Sequence, residues 1–354
     1  MDTPHRLLFE ENWRCEANLF GEVKALVGGA TSSVGSLAPS AKGLSDNKCI
    51  EGLVRNLDFY SGLYQLGVFN AEKLRYEVFP MEVSFEDADA IRKDLASGQL
   101  KAFLVHLSEG KPGEDKKPGD ASALREYRMI KAQGFLVPGV SFIHAVPLET
   151  AQFREMAGHG VGLIWSPRSN YELYGGTTDV ASAKRAGVTI ALSPDWSPSG
   201  SDGMIQELKY AAEWNAKQNP KVFNDEELVK MATVYPAQLA GLSDKIGILA
   251  RGRFADLLLI RRNERDPYGA LVGAGPADIR LVVVGGQAVY GDSDLMEKLV
   301  PAGQLEALPS ICGKTKMLNQ GSSPLKKWDQ TLKDLNSALK EWRIPLSDLT
   351  ECRK

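Results

Sequence analysis

The chain has 354 residues, with 42 Lys and Arg against 45 Asp and Glu for a net charge of −3, and 43% of its residues are apolar. That is ample for the core of one large or two ordinary domains, and the balanced charge supplies no basic face for a phosphate backbone, so nucleic acid is not an expected partner. The longest apolar runs, such as Leu257–Ile260 and residues 281–284, are strand-sized and far short of the roughly 20 residues of a membrane span, so no membrane partner is expected either.

The N-terminus opens Met1-Asp2-Thr3-Pro4-His5 and reaches Glu10-Glu11 without the basic and apolar regions of a signal peptide. Cys15, Cys49, Cys312 and Cys352 are scattered without CxxC spacing, which reads as reduced thiols and a cytoplasmic location. From about residue 20 to 245, short β-rich runs alternate with longer helix-like segments, the pattern of a parallel sheet or an α/β barrel. Strands are expected at 29–35, 53–59, 74–81, 101–107, 139–144, 161–165 and 188–193. Between them, Ala88, Ile91 and Leu95 share one side of a helix over Phe85–Ser97, and Leu124, Tyr127 and Ile130 share one side of a helix over 122–133. Both helices are expected to stop on glycine, at Gly98 and Gly134.

After residue 245 the pattern changes. Two β-rich segments, Leu257–Ile260 and 279–290, with Gly285-Gly286 as a tight turn, predict a small antiparallel sheet. Residues 305–324, rich in Pro, Gly and Ser, read as a linker. Trp328, Leu332, Leu335, Leu339 and Trp342 then form one helical stripe, read as a tail helix docked on its own domain, the alternative being a helix that binds a partner. The expected domains are 1–245, 246–300 and 301–354.

The residues that carry chemistry sit where strands end. His106 follows the apolar run 102–105, His144 ends 140–143, and Asp195 ends 190–194. In an α/β barrel such exits converge on one mouth. Singly, each has a plain structural reading, a histidine bonded to a loop or an aspartate capping a helix; three at successive strand ends are harder to dismiss. Imidazole nitrogen and carboxylate oxygen suit a borderline divalent cation such as Zn²⁺ or Fe²⁺, which brings the pKa of its water near neutrality. Glu109, three residues past His106, is placed to move protons to a leaving nitrogen, and the chemistry implied is hydrolysis. His159, in a helix-to-strand turn, belongs at the opposite face and reads as structural; His5 has no assigned place.

Four segments in order give these residues a context: Ser166-Pro167-Arg168-Ser169-Asn170-Tyr171-Glu172-Leu173-Tyr174-Gly175, then Ser193-Pro194-Asp195-Trp196 with Ser199-Gly200-Ser201 and Glu207-Leu208, then Ala232-Thr233-Val234-Tyr235-Pro236-Ala237, then 247–256. Together they resemble the amidohydrolase superfamily, in the branch of cytosine deaminases and triazine chlorohydrolases, over roughly residues 20 to 292. The resemblance implies an α/β fold, a (β/α)₈ TIM-like barrel beside a β-sandwich, and a metal-dependent hydrolase of non-peptide carbon–nitrogen bonds. It makes His106 and Asp195 ligands of a Zn or Fe ion, Glu109 the proton-transfer acid, His144 either a third ligand or a contact to the hydrated substrate, and Asp195 the general base as well. Asn170 falls on the substrate loop, with Arg168 and Trp196 beside it as substrate-binding residues, and the partner is a small-molecule substrate.

The superfamily carries a His-x-His pair at the end of its first barrel strand, and no such pair occurs among His5, His106, His144 and His159. The sequence is therefore expected to form a barrel missing its first strand, with a sandwich remnant and a C-terminal helix, and to hold less than one metal per chain. Two open strand edges leave a homo-oligomer as one way to cover them. The alternative to a deaminase-like hydrolase is a catalytically impaired fragment or non-enzymatic remnant that binds a ligand or partner.

Overall fold

The computed structural model describes residues 13–34, 53–57, 74–78, 80–113, 119–196, 198–262, 266–321 and 327–352. They fall into two compact units, one built from residues 1–71, 254–263 and 274–354, the other from 72–253 and 264–273. His5 and Cys49 lie outside the described residues.

The first unit begins with helix α1 (Arg14–Val27), followed by β1 (Ser32–Ser33) and β2 (Arg55–Asn56), which pair in parallel. The strands expected over 29–35 and 53–59 thus shrink to two residues each, and residues 35, 58 and 59 lie outside the described part. Buried Glu22 of α1 holds this pairing. Its carboxylate accepts from the Leu53 amide and, at 3.1 Å and 3.2 Å, from the side chains of Asn56 and Asn18.

The second unit is a run of β/α pairs. Strand β3 (Leu74–Glu77) leads to α2 (Phe85–Ser97), β4 (Ala102–Leu107) to α3 (Ala121–Ala132), β5 (Val140–His144) to α4 (Thr150–Gly158), and β6 (Gly162–Trp165) to α5 (Pro167–Tyr174) and α6 (Val180–Ala186). Then come β7 (Ile190–Leu192), α7 (Met204–Ala216), α8 (Asp225–Met231), α9 (Val234–Leu239) and α10 (Pro267–Val272). The five strands form one parallel sheet in sequence order, β3-β4-β5-β6-β7. Both faces are covered, which is why β4 reads Ala-Phe-Leu-Val-His-Leu with only His106 less than buried. Phe103, Phe142, Leu163 and Trp165 lie in the core at 0% exposure, each buried apolar side chain contributing about 1.5–3 kcal/mol. Among the described residues the sheet does not close on itself, so the fold is part of a barrel.

Local chemistry sets the helix ends. The Ser84 hydroxyl accepts from the Asp87 amide at 3.0 Å to start α2, and Gly98, at φ 76°, stops it in a left-handed conformation that a side chain would disfavour. These are the bounds that the apolar spacing predicts. Helix α3 starts on Asp120 and gives way to Gly134 at φ 78°, one residue earlier than expected at each end.

The first unit resumes with β8 (Leu257–Ile260), β9 (Ile279–Val284), β10 (Gln287–Asp292), α11 (Ser293–Leu299), β11 (Leu305–Ala307), β12 (Lys316–Asn319) and α12 (Trp328–Lys340). Its antiparallel sheet runs β11-β12-β10-β9-β8. Gly285 and Gly286, both at positive φ, make the expected turn between β9 and β10. Two expectations are corrected here. Residues read as linker supply β11 and β12, because Leu318, Asn319 and Lys316 are buried on the sheet despite the surrounding Pro and Gly. Residues 13–34 and 53–57, expected with the barrel, belong by contact to this unit. The tail helix docks through Trp328, Leu335 and Leu339, while Trp342 of the expected stripe lies beyond its end and is exposed: α12 packs on α1, and Trp328 stacks on Phe20 at 5.9 Å between ring centroids.

The cysteine expectation is overturned. Cys312 and Cys352 form a disulfide across 40 residues of sequence, tying the segment after α12 to the loop before β12, and Cys15 is disulfide-bonded too. The sequence gives only spacing; pairing requires the Cα atoms to approach, here to 5.3 Å. Among the described residues no helix is long and apolar enough to cross a membrane.

Candidate active site

Parallel pairing puts Leu107 of β4 beside His144 of β5, so both strands release their chains at one level of the sheet. Those exits are strained: Ser108, His144 and Ala145 adopt φ of 53°, 71° and 53°, a region non-glycine residues avoid at a cost of about 1–3 kcal/mol each. Specific bonds hold them there. The Ser108 amide donates to Glu126 of α3 at 2.8 Å and its hydroxyl to the Ala123 carbonyl at 2.7 Å, while the Thr178 hydroxyl donates to the His144 carbonyl at 2.5 Å.

Three of the predicted residues meet. One ligand atom each from His106, His144 and Asp195 lies within 4.8 Å of the others. Each is oriented from behind. His106 Nδ1 faces the Glu77 carbonyl at 3.4 Å, and its ring meets Tyr76 edge-on. Burial, then the neighbouring His144, lowers the proton affinity of His106, a direction that favours the neutral ring. His144 is fully buried. Its Nδ1 lies 3.0 Å from Asn170 Oδ1, and since the Asn170 amide nitrogen donates to Thr177 and Thr178, Oδ1 must accept; Nδ1 carries the proton and Nε2 the lone pair. Asp195 Oδ2 accepts from the Ser169 hydroxyl at 2.5 Å and Oδ1 from the Trp196 amide at 2.7 Å. Gly200 makes room for this turn, because a Cβ there would meet the Asp195 carbonyl oxygen at 2.6 Å.

Glu109 joins the group, its Oε2 lying 3.6 Å from His144 Nε2, while Asp195 Oδ2 is 3.8 Å from the same nitrogen. Buried His144 Nε2 has no hydrogen-bond partner among the described residues. A buried imidazole nitrogen with its lone pair aimed at two carboxylates, and a second histidine beside it, is a donor set suited to a divalent cation.

The other predicted residues stand further back. Asn170, at 0% exposure, orients His144. The Arg168 amide donates at 3.1 Å to Glu207, whose carboxyl burial pushes up to about 7 despite that hydrogen bond. Trp196 is half-buried next to Asp195. Exposed His159 caps α4, away from the group. Ser169, Glu126, Thr178 and Tyr174 escaped the sequence reading; Ser169 and Tyr174 lie inside the segment 166–175, but nothing in their types says which atom they face.

A sequence model of the amidohydrolase family matches residues 96–289. A 5-methylthioadenosine/S-adenosylhomocysteine deaminase of Desulforudis audaxviator is 31% identical over 205 residues, covering 55% of this chain and 47% of its own length. The chain spans about half the length of the curated relatives it matches. Among solved structures, a zinc-bound adenosine deaminase of Xanthomonas campestris superposes with a TM-score of 0.67 at 16% identity, over 93% of this chain and 75% of that one. A triazine hydrolase variant gives 0.63 at 18% identity, over 92% and 76%. These two likenesses concern the fold.

Proposed function

The chain belongs to the amidohydrolase family, and we propose that it hydrolyses a non-peptide carbon–nitrogen bond of a small molecule, releasing ammonia from an amino-substituted purine-like ring. The observation that carries this reading is the convergence of His106, His144, Asp195 and Glu109 at the strand ends. The ring class is suggested by the deaminase relatives.

His106, through one ring nitrogen, His144, through Nε2, and Asp195, through a carboxylate oxygen, would hold a divalent cation, zinc or iron. When bound, that cation supplies Lewis acidity, favouring ionisation of water and polarising the bond under attack. The chain's own residues handle protons and geometry. Asp195, fixed by Ser169 and the Trp196 amide, accepts a proton from the attacking water. That proton passes on through Oε2 of Glu109, its side chain 29% exposed, to the departing nitrogen, so that water oxygen replaces the amino group, ammonia leaves and both carboxylates end as they began. Asn170 keeps the His144 ring in one tautomer, and Arg168 and Trp196 are the candidates for contacts to a substrate ring.

A second reading, a ligand-binding protein without turnover, rests on one observation: the 354 residues contain no His-x-His pair, so the described ligand set stops at three. The test is ammonia release from adenosine and 5′-methylthioadenosine by chain incubated with Zn²⁺, with bound metal counted by elemental analysis. The hydrolase reading expects release that is lost in His144→Ala; metal well below one per chain and no release at any zinc concentration favour the binding protein.

The cytoplasmic location read from the cysteines is not carried forward, since every cysteine among the described residues is in a disulfide. The small-molecule partner is part of the same proposal.

A further inference from the structure

One polar contact at the strand ends has no part in the chemistry above. The Tyr174 hydroxyl, at the last residue of α5, donates to Glu109 Oε1 at 3.0 Å. The same carboxylate turns its other oxygen, Oε2, to His144 Nε2 at 3.6 Å.

We propose that Tyr174 is a positioning residue for Glu109: its phenol clamps Oε1 and leaves Oε2 as the oxygen that faces His144 and the reacting atoms. This inference rests on the hydrolase reading for its catalytic meaning, though not for its geometry.

Three further observations support it. The loop carrying Glu109 is fixed from the other side by α3, through the bonds of Ser108 to Glu126 and Ala123. The chain just past Tyr174 presses on the same loop, for a Cβ at Gly176 would meet Pro112 Cγ at 2.6 Å. Burial, then the charge of Glu109, pushes the Tyr174 phenol upward, so it stays a donor throughout the working range. Without the phenol, Glu109 has a free carboxylate on a side chain with three rotatable bonds. A group that shuttles protons loses about a hundredfold in rate when displaced by 1 Å.

The plain alternative is that a half-buried tyrosine hydroxyl merely finds an acceptor. Tyr174→Phe separates the two. Acting through Glu109, the substitution lowers kcat for ammonia release by about tenfold to a hundredfold, leaves KM within about threefold, and leaves the melting temperature nearly unchanged. In a Glu109→Ala background the same substitution adds nothing. A kcat loss that persists undiminished there, or an unchanged kcat in the single variant, overturns the proposal.

A second readout needs no turnover. In long-range ¹H–¹⁵N spectra, the His144 ring signals of Tyr174→Phe should move from wild type in the direction taken by Glu109→Ala. Unmoved signals overturn the proposal even if the enzyme is active. Should wild-type chain release no ammonia while the ring signals move as expected, the hydrolase reading fails and the Tyr174 clamp stands.

Discussion

Both units bury polar and charged groups, and the clusters they build from them differ. In the antiparallel unit Arg55, at 0% exposure, meets Asp256 at 2.7 Å and lies over the Phe254 ring, while Asp256 also accepts the Gly285 amide. Lys316, equally buried, donates to Asp292 and to the Ile279 carbonyl, and Arg280 binds the same carboxylate at 2.9 Å. Burial would raise the Asp292 proton affinity, but Lys316 and Arg280 outweigh it and the net direction is down. In the parallel unit the strand ends carry three positive-φ residues, two adjoining carboxylates and a buried nitrogen without a partner. Paired charges hold a fold together. Strained and unpaired groups cost stability and are retained where they do chemistry.

The comparison breaks if activity and stability respond alike in the two places. Asp195→Asn is expected to cut ammonia release by about a thousandfold while the denaturant midpoint stays at or above that of wild type. Asp256→Ala should do the reverse. It strands a buried guanidinium at a cost of about 3–5 kcal/mol in denaturant unfolding, with kcat unchanged in the molecules that remain folded. A stability loss from Asp195→Asn as large as that from Asp256→Ala would erase the distinction.

Glu22 sharpens it through pH. Burial pushes this carboxyl up to about 7 from 4.5, against hydrogen bonds from Leu53, Asn56 and Asn18. The folded state therefore binds the proton more tightly than the unfolded one. The stabilisation is full below pH 4.5 and is lost as pH rises through 7, a span of roughly 3 kcal/mol. Unfolding free energies measured from pH 4 to 8 should fall in wild type, and Glu22→Gln should remove the part of the slope that Glu22 contributes, Glu207 keeping its own. The smallest effect belongs to Ser84→Ala, which removes the α2 cap for about 1 kcal/mol and leaves turnover alone, showing that not every part of the parallel unit is tuned for chemistry.

Periodicity and punctuation were enough for the local parts of this protein. The α2 bounds follow from Ala88, Ile91 and Leu95 between Ser84 and Gly98, and β4 to β7 follow from apolar runs that parallel strands need on both faces. His106, His144 and Asp195 were legible as candidates because each ends such a run. Glu109 was legible as the carboxylate three residues past His106, Asn170 came with the family-specific segment 166–175, and the amidohydrolase family match covers both.

What the sequence could not say depends on contacts between residues far apart along it. That α1 shares a unit with β9 and α12, that a Pro- and Gly-rich stretch yields β11 and β12, and that Cys312 meets Cys352 are results of packing across dozens to hundreds of residues. The same holds within the site. Composition and spacing name a histidine, an asparagine, a glutamate and a tyrosine; only the folded chain decides that Asn170 sets the tautomer of His144 and that Tyr174 takes one oxygen of Glu109. Residue type fixes which bonds a side chain is able to make, and tertiary structure fixes which of them it makes.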